Sequence, residues 1–143
     1  MEILNKKAKF DYYIESEIES GISLVGTEIK SIKKGSCDLK DTYVRIKNNE
    51  AFIINMYIAK YEEGNIFNHD ERRERKLLLH KKEIIKLKEM ATKDGYSLIP
   101  IKCYIKNGKA KISVGVCKGK KLYDKRESIK EKDLKRLEKW FIS

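Results

Sequence analysis

A mostly β, antiparallel barrel with helices set into it, followed by a basic C-terminal tail, is the architecture this sequence predicts. Three observations predict it. Short stretches of period-two alternation recur along the chain and are separated by Asn-Asn and Asn-Gly turns. Two helical stretches, each closed by a glycine, interrupt them. Charge collects at one end: residues 102–143 hold 14 Lys+Arg against 5 Asp+Glu, a net +9, whereas residues 1–101 hold 19 against 17, a net +2.

The elements follow in order. Lys9 to Ser20 alternates, with Phe10, Tyr12, Ile14 and Ile18 on one face and Lys9, Asp11, Glu15, Glu17 and Glu19 on the other. That is a half-buried strand, bent at Gly21 and continued by Ile22–Val25. Gly26-Thr27 breaks it and opens a helix over 27–34, with Glu28 in the first turn and Gly35 as its stop. Asp41–Ile46, a turn at 47–50, and Ala51–Ala59 make a hairpin. Residues 60–76 are polar and aperiodic and read as a long exposed loop, a kind that is usually functional or disordered. Ile84, Leu87 and Ala91 repeat at helical spacing within 81–93, and Gly95 ends that helix. Tyr96–Lys106 is a strand whose internal Pro100 makes it an edge or a bulge. Asn107-Gly108 is the strongest hairpin turn in the chain, and Lys109–Val116 returns with Ala110, Ile112, Val114 and Val116 on one face and Lys109 and Lys111 on the other. Ser128–Phe141 carries a narrow helical stripe of Leu134, Leu137 and Phe141, expected to be loose when free and helical on a partner. Strands in hairpins with helices between them favour an oligonucleotide-binding-like barrel, with a split α+β sheet as the other option.

The 143 residues suggest one domain, divided into a barrel over 1–117 and a tail over 118–143. A pI near 9.5 points to nucleic acid or an anionic membrane surface. No apolar run approaches the roughly 18–20 residues that span a bilayer, and the first seven residues lack a signal-peptide core, so a cytoplasmic location is expected. Cys37, Cys103 and Cys117 form no paired motif and have no histidine at ligand spacing. Reduced structural thiols fit better than a zinc site, and no metal or cofactor is expected.

Catalysis finds little support. The two histidines, His69 and His80, sit in or beside the long loop, and no nucleophile elbow, Walker loop or HExxH is present. Binding is the better reading. Its centre is the stretch from Gly115 to Glu127, where Lys118, Lys120, Lys121, Lys125 and Arg126 surround Tyr123 and Asp124. Cations beside an aromatic suit phosphate contact with base stacking. On the residues alone the chain is a general single-strand nucleic-acid barrel or a ribosomal structural protein.

A specific resemblance goes further. Asn5-Lys-Lys-Ala8, Glu19-Ser-Gly-Ile22, Gly26-Thr-Glu-Ile-Lys-Ser31, Asp41-Thr-Tyr-Val44, Asn68-His69, Arg75-Lys-Leu-Leu-Leu-His80 and Lys118-Gly-Lys-Lys-Leu-Tyr-Asp-Lys-Arg126 occur in this order. In this the chain resembles the small protein B family, the transfer-messenger RNA (tmRNA) binding proteins of bacterial trans-translation. The resemblance implies a non-enzymatic RNA-binding barrel that grips the tRNA-like domain of tmRNA and delivers it to stalled ribosomes. Its tail would enter the decoding site of the small subunit and the empty message channel, while alanyl-tRNA synthetase and elongation factor Tu act on the same RNA. No membrane is involved.

By position, the resemblance implies contacts to the tRNA-like domain from Asn5, Lys6, Lys7, Lys9, Tyr12, Glu19, Leu78 and Lys111. Tyr12 lies on the apolar face and serves the core or the RNA, and Leu78 shapes the surface from the core. Glu19 would accept from a base amine or a sugar hydroxyl. The ribosomal face would comprise Lys118, Lys120, Lys121, Tyr123, Asp124, Lys125 and Arg126. Two departures stand out: Glu71 replaces the family's usual proline, and the tail closes early on Trp140-Phe-Ile-Ser143.

Overall fold

The computed structural model describes residues 2–63 and 68–121. Nine strands and three helices run in the order β1 (Glu2–Leu4), α1 (Lys6–Asp11), β2 (Tyr12–Ile22), α2 (Gly26–Lys33), β3 (Cys37–Asp38), β4 (Tyr43–Lys47), β5 (Glu50–Ile54), β6 (Tyr57–Ile58), β7 (Arg75–Leu78), α3 (Lys81–Ala91), β8 (Tyr96–Lys106) and β9 (Lys109–Gly119). Seven strands form one antiparallel sheet in the order β1-β8-β9-β2-β7-β5-β4, and β3 pairs with β6 in a separate ribbon. The sheet curls so that β4 lies alongside β8 without a hydrogen-bonded closure. This is the oligonucleotide-binding-like barrel the patterning predicts, left open along one seam.

The hairpin turns behave as their residues require. Asn48 and Asn49 have φ of 52° and 60°, and Asn107 and Gly108 have 52° and 75°. Positive φ at both central positions matches the right-handed strand twist, which is why asparagine and glycine occupy them. Beneath the sheet, Ile32, Leu39, Ile53, Met56, Ile58, Leu77, Ile112 and Val114 are fully buried or nearly so, and α3 adds Ile84 and Leu87. A second, smaller cluster holds Ala8, Ile99, Ile101 and Cys117, flanked by Tyr12 and Ile14. Gly115 permits this second cluster: a Cβ there would lie 2.7 Å from the Ile101 side chain.

Several expectations change. Residues 6–11 are helical, so Lys9, Phe10 and Asp11 do not begin the strand as expected. The Asn5 side chain accepts from the Ala8 backbone N–H at 3.2 Å and caps the turn. The alternation is strand-like only from Tyr12, and a bulge between Ile14 and Ser16 interrupts it. Gly21 does not bend β2, which pairs through it with Lys111 on one side and Leu78 on the other and ends at Ile22. The returning strand of the first hairpin stops at Ile54, because Asn55 takes φ 69° and turns the chain toward β6.

Pro100 sits beside a bulge in β8, beyond the three positions that β1 pairs, so its missing N–H breaks no bond on that edge. There Asn5 takes over, with its N–H donating to Ile101 O at 2.8 Å and its amide to Pro100 O at 2.9 Å. β9 runs to Gly119, past the expected end of the strand and past the expected start of the tail.

The long loop is shorter than its composition suggests, since Arg75 and Lys76 belong to β7. Arg75 is fully buried because Glu28, from α2, is buried against it. Arg75 Nε donates to Glu28 Oε2, and Arg75 Nη1 donates to Met56 O at 2.7 Å. Arg73 closes the other side, its Nη2 2.5 Å from Glu28 Oε1. The Val25 N–H also donates to that oxygen at 3.0 Å, the reciprocal half of a capping box. Nearby, His69 Nε2 donates to Ile58 O at 2.9 Å, which leaves Nδ1 to accept from the Thr27 hydroxyl at 2.8 Å. Asn68 pins the loop base through both backbone groups of Tyr61. The Gly26-Thr-Glu, Asn68-His and Arg75-Lys motifs therefore meet in one buried polar knot that ties α2 to β6 and β7.

Candidate nucleic-acid interface

Three strands, β8, β9 and β2, present an outer face built from alternate positions. Its register places Tyr104, Lys111, Gly21 and Leu78 in one row across β8, β9, β2 and β7. Leu78 is not in the core as expected: it is the outward position of β7, 57% exposed, and it packs over Gly21, where a Cβ would approach its own Cβ to 3.2 Å. Glu19 lies two residues from Gly21 on β2. The Tyr104 hydroxyl donates to its Oε1, and Lys106 Nζ lies 3.4 Å from both its oxygens. The Tyr104 hydrogen bond holds the Glu19 carboxyl below its ordinary value, with help from Lys106 and Lys111. Burial, and then Glu19, push the Tyr104 phenol up to about 12. The pair is therefore an ionised carboxylate beside a neutral phenol throughout the physiological range.

The same device repeats down β2. Glu17 accepts from the Ser113 hydroxyl at 3.1 Å, and Glu15 from the Tyr96 hydroxyl at 2.7 Å. The hydrogen bond to Glu15 raises the Tyr96 phenol. The glutamates read from the alternation as a solvated face are each oriented by a hydroxyl from β8 or β9. The sequence spacing does not show this: Tyr96 and Tyr104 are eight residues apart, but the bulge beside Pro100 shifts the register, so Tyr104 pairs with Lys111 and Tyr96 with Lys118, on opposite faces of the sheet.

The residues that the resemblance assigns to the tRNA-like domain fall into two groups. Glu19, Leu78 and Lys111 cluster at one end of β2. Asn5, Lys6, Lys7, Lys9 and Tyr12 gather at the other end, around α1, and Tyr12 is seven residues from Glu19, about 23 Å of strand. Within the second group the roles differ. Asn5 is only 5% exposed and is spent on capping α1 and holding β8, so its part is to position the helix. Lys7 pairs with Asp41 at 3.0 Å, a contact that raises the lysine and lowers the aspartate. Lys6 and Lys9 are exposed. Tyr12 is half-buried, flanking the second cluster and lining a groove of about 500 Å³ with Tyr43, Lys88 and Ile99.

Lys118, expected on a basic loop, stands in β9 with its Nζ 5.9 Å from the centre of the Tyr96 ring. Lys120 reaches Tyr13 at 5.0 Å and donates to Lys9 O at 3.3 Å, and its backbone N–H donates to Asp11 O at 2.8 Å. The two predicted RNA surfaces thus touch at α1. Lys121 is exposed, and Tyr123, Asp124, Lys125 and Arg126, with the expected tail helix, lie outside the described residues.

The cysteines are not activated nucleophiles. No cluster of three or more His, Cys, Asp and Glu is placed to hold a metal among the described residues. Cys103 and Cys117 are buried and Cys37 half-buried. A hydrogen bond with Cys103 raises the Cys37 thiol, and burial pushes Cys117 up to about 11, the opposite of activation. Among the described residues no helix is long and apolar enough to cross a membrane.

Comparison with known proteins finds relatives over nearly the whole chain. The family model described as SmpB protein matches residues 2–142. The chain is 61% identical over 132 residues to the SsrA-binding protein of Staphylococcus haemolyticus (strain JCSC1435), covering 92% of this chain and 85% of that protein. It is 58% identical over 132 residues to the SsrA-binding protein of Staphylococcus aureus (strain Newman), covering 92% and 86%. A solved structure described as "tmRNA-SmpB: a journey to the center of the bacterial ribosome" superposes with a TM-score of 0.72 at 40% identity, over 94% of this chain and 95% of that one. A family match over nearly the whole length, on a barrel whose outer face carries these residues, makes the chain a member of the SmpB protein family.

Proposed function

We propose that this chain binds the tRNA-like domain of tmRNA and delivers it to stalled bacterial ribosomes for trans-translation, acting as a binding protein rather than an enzyme. One observation carries the reading: an exposed Leu78, the basic Lys111 and a carboxylate kept ionised by Tyr104 and Lys106 occupy neighbouring positions on one face. A bare carboxylate is a poor neighbour for phosphate, but it suits base amines and sugar hydroxyls exposed at an RNA elbow. Exposed Lys6 and Lys9 at α1 would neutralise backbone phosphate further along the same RNA.

The division of labour is part of the proposal. Residues 1–117 grip the RNA, and residues 118–143 engage the decoding site and the empty message channel, through Lys118, Lys120, Lys121, Tyr123, Asp124, Lys125 and Arg126. Alanyl-tRNA synthetase and elongation factor Tu act on the same RNA, and the protein works in the cytoplasm.

The test compares affinity for the tRNA-like domain with affinity for an elongator tRNA bearing an ordinary anticodon arm, at several salt concentrations. Preference for the former is expected. Equal affinity for both would establish a general nucleic-acid barrel instead.

A further inference from the structure

The register sets Tyr13, Lys118 and Tyr96 side by side across β2, β9 and β8: Tyr13 pairs with Lys118, and Lys118 pairs with Tyr96. Cross-strand partners share a face, so two aromatic rings flank one lysine at the end of the sheet face that Leu98 and Val116 carry into the core. Lys118 leans over Tyr96, and Lys120, two residues on, leans over Tyr13. Tyr13 is 46% exposed. The Tyr96 ring is steadied by its hydroxyl bond to Glu15. Tyr96 packs at the edge of the main core cluster and is partly buried, and neither tyrosine belongs to the set assigned to the tRNA-like domain.

We propose that Tyr13, Lys118 and Tyr96 form a platform on which an unpaired stretch of RNA stacks its bases. The chemistry is that of sheet-borne aromatic rings reading splayed-out bases. In the free protein the two ammonium groups rest on the rings. When RNA arrives they turn to the flanking phosphates, exchanging a weak cation–ring contact for a charged one and baring ring face to a base. The steadied Tyr96 ring loses little freedom in the exchange. The platform is separate from the Glu19–Lys111–Leu78 surface: Lys111 and Lys118 are seven residues apart on β9, about 23 Å. It lies where β9 hands over to the basic segment, so it serves RNA met by that segment. The proposal rests on the reading that the chain binds RNA, and it adds a second site of different chemistry.

The experiment uses the full chain and a ten-nucleotide single-stranded oligoadenylate, with thermal unfolding of every variant as a control. Tyr13→Leu and Tyr96→Leu are each expected to weaken oligonucleotide binding roughly 5- to 100-fold. The slope of log affinity against log salt should stay unchanged in both. Tyr13→Phe and Tyr96→Phe, which keep the rings, should bind within about twofold of the parent. Lys118→Ala should reduce the salt slope by about 0.7. Wild-type protein crosslinked to a 4-thiouridine-substituted oligonucleotide should yield adducts on the peptides carrying Tyr13 or Tyr96. Unchanged binding by both leucine variants, equal losses for phenylalanine and leucine, or adducts confined to other peptides would each overturn the platform. These readings do not depend on whether wild-type protein prefers the tRNA-like domain, so the two proposals fail separately.

Discussion

Replacing Glu28 with Gln should unfold this protein at a markedly lower temperature, although the change removes no apolar contact. Glu28 and Arg75 are both fully buried, and the carboxylate also meets Arg73 and the Val25 N–H. An amide leaves Arg75 charged and buried without a counter-charge, with only neutral carbonyls, those of Met56, Asp70, Glu71 and the new amide, to accept from it and from Arg73. It also turns an NH₂ group toward guanidinium donors. Removing one partner of a buried pair costs about 3–5 kcal/mol, mostly from the charge left behind. Domains of this size have about 5–15 kcal/mol in total, so a third or more of the stability is at stake. At roughly 3–4 °C per kcal/mol, the midpoint should fall by about 10–20 °C.

Urea and thermal unfolding followed by circular dichroism would measure this. The double variant Glu28→Gln, Arg75→Met should recover part of the loss, because the stranded charge is gone. A pH series adds a second check. Burial works to raise the Glu28 carboxyl, but hydrogen bonds from Arg73, Val25 and Arg75 outweigh it and hold it below its ordinary value. A depressed carboxyl stabilises the fold above the unfolded value, near 4.3, and that stability is lost as pH falls toward the folded value. Wild-type protein should therefore lose stability below about pH 4.5 more steeply than Glu28→Gln. A loss under 1 kcal/mol for Glu28→Gln would refute the argument.

Four further outcomes are expected. Asn5→Ala should cost about 1–2 kcal/mol through the lost cap of α1, read by chemical denaturation, and should weaken RNA binding by letting the helix drift. Gly115→Ala should cost about 1–3 kcal/mol, because the added methyl meets Ile101. Tyr104→Phe should raise the Glu19 carboxyl toward its ordinary value, seen by carbon-13 titration of the labelled carboxyl; an unmoved midpoint would show that Lys106 and Lys111 set it without the phenol. Replacing Lys118, Lys120, Lys121, Lys125 and Arg126 together with alanine should leave binding to the isolated tRNA-like domain intact while abolishing tagging of stalled chains.

The reach of the sequence is clearest where local chemistry decides the structure. Asn107-Gly108 needs positive φ at both positions, so its turn was legible, as was the helix stop at Gly35, with φ of 76°; α3 ends earlier than expected, at Ala91, and Gly95, with φ of 81°, belongs to the turn into β8. The alternation of Lys109–Val116 named its own buried face. What local pattern could not reveal depends on partners far along the chain. Glu28 and Arg75 are 47 residues apart and look like surface charges until each meets the other. The same holds for Arg75 and Lys76, which read as loop because a buried arginine breaks the apolar signature of a strand. At α1, chance alternation of Phe10 with Tyr12 imitated a strand that the Asn5 cap overrides. For the candidate interface, the motifs proposed the residues, but only the register separated Glu19 and Lys111 from the α1 group and set Tyr13 and Tyr96 on either side of Lys118.

The end of β9 has a mechanical consequence. Gly119 N–H donates to Gly95 O at 3.2 Å, and Lys120 N–H donates to Asp11 O at 2.8 Å, so the last described residues are stitched to two different elements at once. Any reach made by the residues after Lys121 is measured from an anchored post rather than from a swivel. Inserting residues there would add slack of at most about 3.3–3.6 Å each while leaving the hydrogen bonds of the sheet untouched.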